Sequence, residues 1–414
     1  MEPHFTDILQ CPLTHSDLTW LDAEQVAQLN AEIARGDLYH LDGTPARKPL
    51  GQAFASADGK LIYPVEEDII ILLPFLALTG DQEIVWSYGQ SLRVEKQAIM
   101  DFYDQVGWKE EGDQFYDGAR FEDLRPVTQD YLRRCHLRVN RYLPGKGTYL
   151  LDAASGPVQY PEYLTYSENY DYRICADISF RALKQAKKNV GGKGIYLLCD
   201  VTNLPLKDNT MDGIVSLHTI YHVPADEQAG AVRELYRTLK AGQTGVVVYS
   251  WGPHSFLMNL LMVPYFLLKR LLRKGTEAEA SELFFHHHKP AWFRKEIQRQ
   301  CHARLAVWRS VSVAFLRRVI HEKALGRQLL TLIYTLENAL PGFFGRVGAY
   351  PMFTLNKPEV KVDAPIEVPG SRWEAMLEPE DFRVFENRPC QREKREHLRL
   401  HASAGVGRIS RTLL

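Results

Sequence analysis

Five residues with usable chemistry fall at intervals through the middle of the chain: Asp152, Asp177, Asp200, His218 and His222. A carboxylate accepts hydrogen bonds from hydroxyl and amino groups, and an imidazole exchanges a proton near neutral pH. Asp152 closes the apolar run TYLLD and is followed by Ala153, Ala154, Ser155, Gly156 and then Pro157. A pyrophosphate would call for Gly-x-Gly-x-x-Gly, so that backbone amides at a helix start could hold it. Here one glycine is present, Pro157 removes an amide, and there is no P-loop Lys-Ser/Thr. The pattern favours a ligand rich in hydroxyl and amino groups over one rich in phosphate. A nucleoside joined to an amino acid fits. Asp177, about 25 residues beyond Asp152, suits the two ribose hydroxyls. Asp200 with Val201 suits an adenine edge, and the loop from Ala154 to Gly156 admits the amino-acid portion. Any one of these aspartates, taken singly, is what caps a helix after a strand.

Short apolar runs alternating with helical patterns must position them. TYLLDAA (148–154), YRICAD (172–177), IYLLCD (195–200), DGIVSLH (212–218) and GVVVYSW (245–251) are predicted strands, rich in Val, Ile, Leu and Tyr and bounded by Gly, Asp or Asn. After Ser179, an N-cap, Leu183, Ala186 and Val190 share a helix face that stops at Gly191-Gly192. After Asp226, the spacing of Val232, Leu235, Tyr236 and Leu239 predicts a second helix, closed by Gly242. Strands alternating with helices imply right-handed crossovers and a mostly parallel sheet covered on both faces. The fold class is α/β, doubly wound. In such a sheet ligands sit beyond the carboxyl ends of the strands, and the first four strands end at Asp152, Asp177, Asp200 and His218.

The whole chain sets limits. Its 414 residues suggest two or three domains, and 50 basic against 51 acidic side chains give no global field to attract nucleic acid or a membrane. Six scattered cysteines with no C-x-x-C argue against a disulfide framework or a zinc site, and no metal is expected. The start, MEPHFTDILQ, has no basic end and no apolar core, so no signal peptide is expected. The greasiest run, 256–272, is interrupted by Asn259, Pro264, Lys269 and Arg270 and is too short to span a bilayer. A soluble, cytoplasmic protein is the expectation.

From about 100 to 356 the chain resembles the class I S-adenosylmethionine-dependent methyltransferases. The likeness is carried by LLDAASGPVQ, by CADIS, by the long run LLCDVTNLPLKDNTMDGIVSLHTIYHVP, and by RELYRTLKAGQTGVVVYS. The family usually has D-x-G-x-G-x-G where this chain has Asp152, with Ala154, Gly156 and Val158 at the three glycine positions. The resemblance implies a seven-stranded, Rossmann-like sheet whose last two strands, 305–316 and 348–358, form an antiparallel hairpin with a helical insertion between them. It implies S-adenosyl-L-methionine as cofactor, held by Asp152, Ala153, Ala154, Ser155, Gly156, Asp177, Ile178, Asp200, Val201, Leu217 and His218. Tyr103 or Trp108, in the aromatic segment DFYDQVGW, would close over it, with packing of an N-terminal helix as the alternative role. His218 and His222 are the candidate general bases if the acceptor is a hydroxyl. Packing against the cofactor is the alternative role for either.

Four segments follow. Residues 1–78 resemble the zinc-ribbon-like activator subunit of several methyltransferases, an α+β module that here keeps only Cys11 and His15 as ligand types and so should bind no metal. Residues 79–140 form a helical cover, 141–358 the catalytic domain with a lid insertion near 253–300, and 359–414 a basic C-terminal extension, partly mobile. His286, His287 and His288 in FFHHHKPAWF would diverge, which suits a surface or substrate-facing cluster better than a metal. The apolar run in the insertion suggests a small or lipophilic acceptor, methylated at oxygen, with peripheral membrane contact left open and nucleic acid not expected. RNA or protein methylation is the second reading, weakened because LHTIY stands where many such enzymes have N-P-P-Y. A non-catalytic binding or scaffold protein is the third.

Overall fold

Six short strands precede residue 80: β1 (Leu18–Trp20), β2 (Tyr39–His40), β3 (Gln52–Ser56), β4 (Ile62–Glu66), β5 (Ile69–Ile71) and β6 (Leu78–Thr79). Helix α1 (Ala23–Arg35) follows β1; Asp22 accepts from the Gln25 N–H, the Gln25 side chain returns the bond, and Gly36 ends the helix at φ 80°. A two-residue hairpin, β7 (Glu110–Glu111) and β8 (Gln114–Phe115), comes before α2 (Pro126–Arg138). The predicted strands then appear as β9 (Gly147–Ala153), β10 (Tyr170–Asp177), β11 (Gly194–Leu198), β12 (Met211–Leu217) and β13 (Leu239–Val248), with α3 (Phe180–Val190) and α4 (Gln228–Thr238) as crossovers. After α5 (Phe256–Leu261) come β14 (Arg304–Arg309), α6 (Val313–Val319), α7 (Gly326–Ala339), α8 (Pro341–Val347) and β15 (Tyr350–Asn356). This computed structural model describes residues 3–89, 110–111, 114–115, 122–265, 267 and 285–359, so Tyr103, Trp108 and the C-terminal extension lie outside the described residues.

Apart from the separate β7–β8 hairpin, the strands form one sheet in the order β1-β3-β4-β5-β11-β10-β9-β12-β13-β15-β14, with β2 and β6 paired off this path. From β5 to β13 neighbours are parallel, and β15 and β14 are antiparallel additions. The chain moves from β9 to β10 on one side and returns to β12 on the other, so the order reverses at β9. Leu150 packs into the core on one face of the sheet and Leu151 into the core on the other, as alternating side chains require.

Three details differ from the sequence expectation. Seven strands are predicted and the sheet holds thirteen, because the N-terminal strands do not make a sheet of their own. Ile69–Ile71, three buried β-branched residues, pair in parallel with Tyr196–Leu198 and join the β1-β3-β4-β5 ribbon to the edge strand β11. Gly242 does not close α4, which ends at Thr238; it lies inside β13 at φ 80°, where its N–H donates to the Lys357 carbonyl at 2.8 Å. The run 305–316 is a strand only to Arg309, because Ser312 accepts from the Phe315 N–H and starts α6.

Candidate active site

A cavity of about 420 Å³ opens where β9, β10 and β12 end. This is the reversal point of the strand order, where α/β sheets place ligands, and the volume is of the size that small ligands occupy. Asp152, Ala154, Ser155, Gly156, Asp177, Ile178, Asp200, Val201, Leu217, His218 and His222 all border it. Ala153 does not belong with them; it is fully buried in the core beside Leu151.

The loop after β9 has an unusual backbone. Ala154, Gly156 and Val158 adopt φ of 54°, 55° and 53°. Glycine enters this left-handed region freely, whereas alanine and especially valine are strained there. The chain therefore keeps a glycine-type loop shape without two of the glycines. Neighbouring groups hold it. The Gly156 N–H donates to Asp177 Oδ2 at 2.8 Å, the Ser179 N–H to Asp177 Oδ1 at 2.9 Å, and the Asn189 amide to the Pro157 carbonyl at 2.8 Å. Each carboxylate oxygen accepts more than one hydrogen bond, so anchoring the loop is compatible with meeting a diol.

Asp152 borders the cavity and is also bonded from within the sheet. The Arg173 side chain, fully buried, donates to it through both Nε and Nη2, and a third Arg173 bond goes to the Tyr163 carbonyl at 2.6 Å. A buried charge needs such a partner, and Asp152 arrives at the cavity already neutralised. Asp200 turns inward on its own loop, its Oδ1 accepting from the Thr202 N–H and hydroxyl, each at 2.8 Å.

His218 sits at φ 60° with its ring edge-on to Trp308 at 4.4 Å and to Tyr350 at 5.5 Å. Burial, reinforced by the Arg309 charge, holds its pKa well below the usual imidazole value, so it is neutral at pH 7. His222 lies 4.6 Å from the Tyr221 ring and 5.0 Å from Phe285.

Several lining residues were not foreseen. Arg309 at the end of β14 is 2% exposed and ion-paired with Glu122, and its guanidinium lies 4.6 Å over the Tyr350 ring. Burial would lower its pKa, but the Glu122 carboxylate more than offsets this, and the cation persists. A lone arginine in the apolar run LAVWR was the available signal. Tyr160, Tyr350 and Phe285 complete an aromatic wall that no local pattern announces. The three adjacent histidines do diverge. His287 borders the cavity with Nδ1 at 3.0 Å from the Ser250 carbonyl, His288 Nε2 is 3.0 Å from the Ala225 carbonyl, and the His286 carbonyl accepts from Gln228. Among the described residues no group of three His, Cys, Asp or Glu is placed to hold a metal; the Cys11 sulfur lies 3.1 Å from the Tyr63 hydroxyl.

Residues 151–247, which include strands that build this cavity, match the family described as the methyltransferase domain. Over 171 residues the chain is 27% identical to the sterol 24-C-methyltransferase erg6 of Schizosaccharomyces pombe, a match covering 38% of this chain and 42% of that protein. It thus spans less than half the length of that relative. Among solved structures, phosphoethanolamine N-methyltransferase 1 of Haemonchus contortus, in complex with phosphoethanolamine and S-adenosylhomocysteine, superposes with a TM-score of 0.41 at 12% identity, over 66% of this chain and 50% of that one. The magnesium protoporphyrin IX methyltransferase of Synechocystis, with bound SAH, gives 0.35 at 16% identity, over 51% and 91%. Both structural likenesses are remote.

Proposed function

We propose that the protein transfers a methyl group from S-adenosyl-L-methionine to a small or lipophilic acceptor, with oxygen as the accepting atom. The observation that carries this is the meeting of the Ala154–Gly156 loop, Asp177 and Asp200 around one cavity inside the stretch that matches the methyltransferase domain. Asp177 with Ile178 would hold the ribose, Asp200 with Val201 the adenine edge, and the loop the amino-acid end. Leu217 and His218 would line the reacting side, and Tyr103 is proposed to cover it. When bound, the donor supplies an electrophilic methyl on a good leaving group, so that alignment by the protein provides much of the acceleration.

The acceptor proton falls to His218 or His222. His218 is neutral at pH 7 and so can accept a proton, but its burial makes it a weaker base than a solvated imidazole. The aromatic rings of Tyr160, Tyr350 and Phe285 favour an acceptor with apolar surface.

Calorimetric titration of the protein with S-adenosylmethionine tests the donor assignment, with micromolar binding expected. Asp177→Ala should weaken it roughly 5- to 100-fold, the value of a charge-assisted pair of hydrogen bonds. No binding to the wild type would end the methyl-donor reading; undiminished binding to the variant would place the ribose elsewhere. A screen of lipid extracts, sugars and RNA with radiolabelled donor would then name the acceptor. His218→Gln should slow transfer without weakening donor binding, and an unchanged pH–rate profile would remove the base role.

A further inference from the structure

Helix α7 has more apolar surface than the core uses. Its buried side consists of Gly326, Leu330, Tyr334 and Glu337. On the adjoining flank Leu329, Leu332 and Leu336, spaced three and four apart, are 38%, 54% and 43% exposed. Leu325 before the helix and Leu340 and Phe343 after it continue the stripe at 68%, 55% and 56%. α5 adds Phe256 and Leu260, exposed at 65% and 57%. α5 packs against the same assembly, since Met258 Sδ accepts from the Ser312 N–H at 3.1 Å, and the Arg318 guanidinium lies 4.7 Å over the Tyr265 ring. Monomeric proteins rarely leave an apolar stripe of this extent uncovered without a use for it.

The charge around the stripe selects the partner. Between Val313 and Val347 the exposed charged side chains are Arg317, Arg318, Lys323, Arg327 and Arg346 against Glu322 alone, because Glu337 is buried. The chain as a whole is nearly neutral, so this basic rim is a local feature. Two copies meeting through the face would bring basic rim against basic rim, which is unfavourable. No described helix is long and apolar enough to cross a membrane, so contact with lipid would be in the plane of the surface.

We propose that this face docks on an anionic lipid surface, with the leucine stripe at the boundary between headgroups and acyl chains and Arg318, Lys323 and Arg346 against lipid phosphates, Arg327 being paired with Glu322 at 2.6 Å. The face is linked to the cavity wall: Arg317 on α6 donates to the Glu122 carbonyl at 2.6 Å, and Glu122 borders the cavity with Arg309. A lipophilic acceptor could pass from the membrane along this edge. The docking itself does not depend on the reaction and is measured without a methyl donor.

The test is flotation of the full chain with vesicles of phosphatidylcholine containing about 30% phosphatidylserine, against phosphatidylcholine alone and against high salt. Binding should be at least about tenfold stronger to the anionic vesicles, and salt should reduce it. Leu332→Asp with Leu336→Asp should lose about tenfold with an unchanged far-ultraviolet circular dichroism spectrum. Lys323→Glu with Arg346→Glu should abolish the preference for anionic lipid while leaving the apolar stripe intact. Absence of vesicle binding, or equal binding by all variants, would overturn the proposal. So would a dimer in light scattering that the aspartate variant dissolves, since that would assign the face to a second copy.

Discussion

The loop after β9 shows how much a single side chain decides. Ala154 and Val158 share a left-handed backbone, which disfavours an L-residue by roughly 1–2 kcal/mol. At Ala154, which is half-buried and has little packing to lose, Ala154→Gly should raise stability by about 0.5–1 kcal/mol after the entropy of glycine is counted. Val158 is 2% exposed and packs with Leu183 and Leu198, and burying a valine is worth about 1.5–3 kcal/mol. Val158→Gly should therefore lower stability although it relieves the same strain; urea midpoints of the two variants would check the opposite signs. His136, 3% exposed and stacked on Tyr160 at 4.8 Å, is pushed down to about 4 by burial. Its folded pKa lies below the unfolded value of about 6.5, so the unfolded chain takes the proton first and stability falls as pH drops through this window. The loss should reach about 2 kcal/mol at pH 5 relative to pH 7.5, and His136→Gln should flatten that dependence in denaturation curves. The sequence located the loop, the strand-end acids and the histidines because each ends an apolar run. The pairing of Asp152 with Arg173 was not legible, since the two are neighbours only across β9 and β10.

At the level of elements, the helical insertion between β14 and β15 is tied to α2 by one buried carboxylate. Glu337 on α7 accepts from the Tyr131 hydroxyl at 2.8 Å, the Ser310 N–H at 2.7 Å and Arg138 at 2.9 Å. Arg138 also donates to the Trp308 carbonyl at 2.5 Å, so α2, α7 and the end of β14 share one network. Removing one partner of a buried pair leaves a charge without compensation, at a cost of about 3–5 kcal/mol. Glu337→Ala should lose that much in urea melts, and Glu337→Gln less, because its amide oxygen still accepts. An unchanged midpoint for the alanine variant would show the network to be dispensable. Periodicity found α3 and all five central strands but ended α4 too late. Gly242 looks like a helix stop in sequence, yet the bond from its N–H to Lys357 makes it part of β13. Such a partner, far along the chain, leaves no local signal.

For the molecule as a whole, the N-terminal strands are an extension of the central parallel sheet. Leu9, Phe54 and Tyr63 share a core with Leu151, Ile174 and Leu197, and the Asn203 amide donates to the Pro12 carbonyl at 2.7 Å. A chain lacking residues 1–78 would bare the β11 edge and this apolar face, and open edges seek other strands. It should aggregate in size-exclusion chromatography, and a soluble, well-folded monomer would contradict the dependence. The parallel pairing of β5 with β11 is what ties this segment to the rest of the sheet. A last consequence comes from the bonds that Asp177 and Asn189 make to the loop after β9. They fix its path through the chain's own groups, so little ordering entropy remains to be surrendered on capture. Encounter with the right molecule should then resemble seating in a finished socket, with fast association and a favourable enthalpy undiminished by loop folding.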